Sequence, residues 1–241
     1  MERFFDFSVT QAEAGFGLFS EIHLAWLVFA LAAVLLAGRI YKKAQPGARR
    51  ALRLKVALSA LGLEWLRVLI YAVNGEYGLN TLPLHLCGLA VYLCAAHALR
   101  RKSGGLLPQF LYAFCMPGAA FALVFPDWTY YPAAHFVTVS AFLLHILICV
   151  YVLMQVRGGD IVPEVRRAPA CLALMAGLAL PVYLFDRATG MNYMFLLAPS
   201  PGSPLEWFAF LGRPGYLLGY LPLLAAVWLV LYGLTRHGRK G

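Results

Sequence analysis

In the run LPLHLC at 82–87 an imidazole and a thiol, His85 and Cys87, stand two residues apart. A Cys–His pair suits nucleophilic catalysis, the imidazole drawing off the thiol proton. Pro83 fits a helix first turn, where its missing N–H costs nothing, so both residues are predicted inside a helix. On a regular helix positions i and i+2 point about 200° apart. His85 then shares a face with Thr81, Gly88 and Tyr92, and Cys87 with Val91 and Cys94. Either the helix is distorted after Pro83, or each residue finds its partner on another element. The plainer readings are a cysteine that fills apolar space and a histidine spent on an interhelical hydrogen bond.

Other reactive side chains lie in equally apolar surroundings. Glu64 and Arg67 sit in LKVALSALGLEWLRVLIYAV at i,i+3 spacing, on one face and close enough to pair. The pair is either a structural lock between helices or an anchor for a phosphate or carboxylate headgroup, with Glu64 orienting Arg67. Asp127 lies in the loop FPDWTYYP; His135 follows it and His145 lies ten residues further on. Ten helical residues advance roughly 15 Å and turn the face by about 80°, so His135 and His145 cannot ligate one metal unaided. His23, His85 and His135 are expected at one level, where three histidines plus water would form a zinc site. No local ligand motif supports one, and neither a metal nor a cofactor is assigned. His97 and His237 read as residues of the opposite interface.

The elements that position these groups follow from composition. The 241 residues are 61% hydrophobic and 13% charged, against roughly 45–50% and 25% in soluble domains. That excess excludes a soluble fold and excludes disorder. Seven apolar stretches, near 18–38, 54–73, 81–99, 106–125, 132–155, 168–186 and 214–234, each approach the ~20 residues that cross a bilayer as helix. Backbone in lipid must satisfy its own hydrogen bonds, and these stretches lack the alternation of barrel strands. The expected fold is all-α: one polytopic seven-helix transmembrane bundle over residues 1–241, without internal repeats or a cleavable signal segment.

The net charge of +9 is a matter of topology. Arg39, Lys42, Lys43, Arg49, Arg50, Arg53, Lys55, Arg100, Arg101, Lys102, Arg157, Arg166, Arg167, Arg236, Arg239 and Lys240 all fall on one side, making 16 of the 20 basic residues. Arg3, Arg187 and Arg213 fall on the other, and Arg67 lies inside a span. The positive-inside bias therefore puts the N-terminus outside and the C-terminus in the cytoplasm. No nucleic-acid partner is implied. Cys87, Cys94, Cys115, Cys149 and Cys171 all lie within spans, so structural disulfides are not expected. Pro117-Gly118 and Pro181 predict kinks. The stretch 187–213 is too apolar for a free loop and is expected to lie on the outer membrane surface or to re-enter as a lid.

LPLHLC at 82–87, the ionisable second span, His145 and GMNYMFL at 190–196 together resemble the YwaF-like family of bacterial integral membrane proteins. The resemblance covers nearly the whole chain. That family is similar to the animal transmembrane protein 164, an acyltransferase that remodels ether phospholipids through a cysteine-acyl intermediate. In that enzyme the nucleophile directly precedes a histidine in a Pro-Cys-His string. Laid on Pro83-Leu84-His85, its place is taken by Leu84, and Cys87 is the nearest thiol. The resemblance implies a lipid acyltransferase or acyl hydrolase of a bacterial inner or plasma membrane. Cys87, His85 and His145 are its candidate catalytic residues, with Glu64, Arg67, His135, Asp127 and Asn192 lining the substrate site. A transporter of small molecules or ions, or a seven-helix sensor, would use the same polar cluster as a pocket. A subunit whose polar residues only hold helices together is the third reading. No lysine lies in the seventh span, which excludes a retinal Schiff base there.

Overall fold

The computed structural model describes residues 2–7, 15–100 and 104–237. Arg101, Lys102, Arg239 and Lys240 lie outside the described residues, as do the side chains of Arg3, Arg236 and His237. The described chain is helical, with no strand among the described residues. In order, its principal helices are α1 Glu21–Lys43, α2 Pro46–Val73, α3 Leu86–Leu99, α4 Leu106–Val124, α5 Phe136–Gly158, α6 Ala168–Thr189 and α7 Tyr220–His237. Among the described residues six segments are long and apolar enough to cross a membrane, the last two with short lead-ins (Val165–Thr189 and Gly215–Gly233). The remaining helix, α3, is apolar but has only 14 residues.

The shortness of α3 corrects the helix expected over 81–99. Leu82 precedes proline and is extended, at φ −62° and ψ 145°, because the proline ring clashes with a helical conformation there. His85 is also extended and is the N-cap of α3. The opposed directions inferred for His85 and Cys87 on a regular helix therefore do not apply. Gly88 allows the chain to fold back: a β-carbon on it would stand 3.0 Å from Pro83 Cα and O.

The column of the bundle is α5. Its apolar window is 78% buried, against 17% in the windows of α1, α2, α6 and α7, and it is hydrophobic all round, as a central helix must be. Helices α1, α2 and α4 pack along it, and α3 fills the angle between α2 and α5. Within α4 a π-helical turn at Leu111–Cys115 precedes Pro117. Such a turn disturbs the regular backbone ladder; here the Ala113 carbonyl accepts from Trp228 Nε1–H at 3.0 Å, tying α7 to α4.

At the basic end of the bundle, Arg49 closes the α1–α2 corner onto the last turn of α5. Its guanidinium donates to the carbonyls of Ala44, Lys42 and Gly158 and pairs with Asp160 at 3.2 Å. A cation on the carbonyls of a helix C-terminus also suits the helix dipole. Asp160 accepts a further bond from Tyr41. Nearby, Arg166 and Arg167 hold the partly exposed Glu164 carboxyl below its ordinary range through direct hydrogen bonds. His97, expected at an interface, is buried instead, with Nδ1 2.8 Å from the Tyr151 hydroxyl.

Candidate functional site

The opposite end of the bundle holds the candidate residues. Glu64 is buried on α2 and accepts from Arg67 Nη1 at 2.9 Å, realising the i,i+3 pair. The Arg67 guanidinium lies over the Tyr71 ring at 5.9 Å. Its Nε–H is buried without a hydrogen-bond partner among the described residues. An orphaned guanidinium N–H in an apolar bundle is a donor awaiting an acceptor, because burial without a bond is costly.

His85 projects from the extended segment before α3 into a pocket of aromatic rings, with centroids 4.9 Å from Tyr193 and 5.6 Å from Phe195. Those rings belong to the 190–198 segment, which dips back into the bundle. Tyr193, Met194 and Leu196 are buried against Val182, Leu82, Leu84 and Leu217. This part of 187–213 packs inward against the helices, while Trp207 and Phe210 are exposed. The backbone N–H of Met194 donates to His85 Nδ1 at 3.2 Å. Accepting there, the neutral ring carries its proton on Nε2.

His145, in the middle of α5, has the opposite arrangement. Its Nδ1–H donates to the Ala141 carbonyl at 2.7 Å, which leaves the lone pair of the neutral ring on Nε2. Trp128 stacks on the imidazole at 4.9 Å and 23°. Trp128 comes from the Asp127 loop, and its own indole N–H is buried without a partner among the described residues.

Electrostatic interactions link several of these side chains. Asp127, Asp186 and Arg67 act on His85; Cys149, Asp127, Arg67 and Glu64 act on Cys87; Arg67 and His85 act on His145. These groups are carried by five elements: α2, the head of α3, the 125–135 loop, α5 and the end of α6. The Cys87 thiol is half-buried and makes no side-chain hydrogen bond among the described residues. Asp127 is exposed on the 125–135 loop.

Other expected members fall elsewhere. His135 caps α5, with Nδ1 accepting from Val137 N–H, and is stacked on Tyr131 at 4.5 Å beside Phe7. His23 spends both ring nitrogens on backbone, accepting from Phe19 N–H and donating to the Leu123 carbonyl. The three-histidine zinc arrangement is therefore not assembled, and no metal-holding group of His, Cys, Asp and Glu occurs among the described residues. Asn192 turns its whole amide onto its own loop, bonding Leu197, Ala198 and the Ala198 carbonyl.

Asp186 was not legible as a site residue, because a charge at the end of a span reads as an interface residue. Here it is buried near the end of α6, close enough for its charge to act on His85. Neither oxygen makes a hydrogen bond of full geometry, although the Tyr193 amide lies near enough to act on it.

Fold and site together define an all-α, multi-pass membrane protein with a buried polar cluster at one end of its helical bundle. Residues 16–232 match the model of the TMEM164 family, and the chain belongs to that family. No curated protein and no solved structure matches it.

Proposed function

We propose that the protein is an intramembrane enzyme that transfers or hydrolyses an acyl chain of a membrane lipid. The observation that carries this reading is the complementarity of the two imidazoles in one cluster: His145 offers a lone pair at Nε2, and His85 offers a proton at Nε2. Acyl transfer through a thiol needs both kinds of group. In the proposed reaction the Cys87 proton passes to His145 Nε2 as sulfur attacks the ester carbonyl. His85 Nε2–H donates to the developing oxyanion. The C–O ester bond then breaks, and the departing lipid oxygen takes the proton back from His145. The thioester left on Cys87 is discharged to a lipid hydroxyl or to water. Arg67, with its unspent N–H, holds the anionic part of the headgroup.

Cys87 shares Arg67 and Asp127 as neighbours with His85, which supports placing the thiol in this cluster. Its direct bond to a base then forms when substrate enters, as apo sites often tighten on binding. In this reading the 14 residues of α3 and the extended segment carrying His85 together complete a seventh crossing. The positive-inside bias supports a cytoplasmic position for the basic end; on that reading the site opens toward the outer leaflet of a bacterial cell membrane. The test is lipid acyl turnover by purified protein in phospholipid nanodiscs, wild type against Cys87→Ala and His145→Ala. Turnover that persists in both variants would sink the proposal.

A further inference from the structure

The bond between Met194 and His85 is built at a conformational cost. Met194 (φ 51°, ψ 16°) and Phe195 (φ 54°) both occupy the left-handed region, which residues other than glycine rarely adopt. Several side chains hold the backbone there. The Asn192 amide accepts from Leu197 and Ala198 N–H at 2.9 and 3.1 Å and donates to the Ala198 carbonyl at 2.9 Å. Tyr220 donates to the Met194 carbonyl at 2.8 Å and Tyr216 to the Phe195 carbonyl at 2.7 Å. The Tyr193 hydroxyl donates to the Leu79 carbonyl, joining the loop to the segment that precedes His85.

A second partner for the His85 ring waits nearby. Asp186 is buried with the Tyr193 amide close by, and its charge, like that of Asp127, acts on His85. A carboxylate beside an imidazole takes an N–H from it and so fixes the other tautomer. Two arrangements of His85 therefore compete. With the Met194 amide on Nδ1, the proton stays on Nε2 and the ring is a donor. With the amide withdrawn, Nδ1 is free to take the proton, a tautomer that a nearby carboxylate favours, and Nε2 becomes a lone pair.

We propose that residues 190–198 act as a tautomer lock on His85, with Asn192 and Tyr220 as positioning residues that hold the Met194 amide against Nδ1. The catalytic consequence rests on the acyl-transfer reading; the lock itself does not. It decides whether the site contains a donor and a base or two bases, and only the first stabilises an oxyanion. Asn192 acts through the loop and touches no substrate.

The test is long-range proton–nitrogen NMR of histidine-labelled protein in nanodiscs, with His85 assigned by its loss in His85→Gln. Wild type shows His85 protonated on Nε2. Asn192→Ala shifts it toward Nδ1–H and lowers kcat roughly tenfold to a hundredfold, the scale of lost orienting contacts, while KM changes little. Asn192→Asp keeps the oxygen that binds the Leu197 and Ala198 amides and restores both readouts in part. Should Asn192→Ala fail to fold, Tyr220→Phe removes one bond to the loop and is read the same way. His85 protonated on Nδ1 in wild type, or on Nε2 in the loosened variants, overturns the lock. If the tautomer moves as expected and wild type transfers no acyl chain, the lock stands and the acyl reading falls.

Discussion

His85 and His145 present opposite faces to one cluster: the first accepts at Nδ1 from Met194 and keeps a proton on Nε2, while the second donates from Nδ1 to Ala141 and keeps Nε2 bare. A glutamine in place of His85 retains a neutral N–H donor, whereas alanine does not. His85→Gln is expected to keep measurable acyl turnover and His85→Ala to lose it. Both His145→Gln and His145→Ala should lose about a hundredfold to ten-thousandfold, the usual worth of a general base. Turnover rates of the four variants check the assignment, and equal losses in His85→Gln and His85→Ala would contradict it.

Glu64 and Arg67 separate structure from function. Removing one partner of a buried pair leaves an uncompensated charge and typically costs about 3–5 kcal/mol, while replacing both with apolar residues is often close to neutral. Glu64→Gln is expected to lower stability markedly, and Glu64→Leu with Arg67→Met to recover most of it. Turnover should not recover in the double variant, because the headgroup contact is gone. Thermal unfolding in nanodiscs, measured beside lipid turnover, shows whether stability and activity part in this way.

Gly88 is a sterically sensitive point on α3. Gly88→Ala pushes a methyl group onto the Pro83 backbone, a form of overpacking that costs about 1–3 kcal/mol. It also displaces His85, and misplacement by about 1 Å can lower a rate a hundredfold. The expected pattern is modest destabilisation with a much larger loss of kcat, read by unfolding and kinetics on one preparation.

The clamp at the basic end serves as a control. Arg49→Ala removes bonds to three carbonyls and to Asp160 and is expected to cost about 2 kcal/mol, a typical value for charge-assisted hydrogen bonds. It lies at the opposite end from the cluster, so turnover per folded molecule should be unchanged. Calorimetry and a turnover assay on the same sample test both halves.

Much of this architecture was legible because lipid imposes simple rules. Length and apolarity placed α1, α2 and α4–α7, and the i,i+3 spacing of Glu64 and Arg67 foretold their bond. The sequence misled where tertiary structure overrode a local preference. Pro83 suggested a helix first turn, yet Leu82 and His85 are extended, and the histidine's partner comes from a loop 109 residues away. The motif GMNYMFL stood out as a run, but nothing in Met194 or Phe195 announces a left-handed backbone. Asp186 resembled an interfacial charge because span ends normally carry such residues, and only the inward fold of the next segment buries it.

The central claim is that Cys87 carries the acyl chain. Intact-protein mass spectrometry after incubation in phospholipid nanodiscs tests it most directly, with peptide mapping to locate any adduct and hydroxylamine to release a thioester. The expected result is an acyl-sized mass gain on Cys87 in wild type, removed by hydroxylamine and absent in Cys87→Ala, with lysolipid formed alongside. Wild type that forms lysolipid or exchanges acyl chains without an adduct, and does so equally well as Cys87→Ala, would contradict the account.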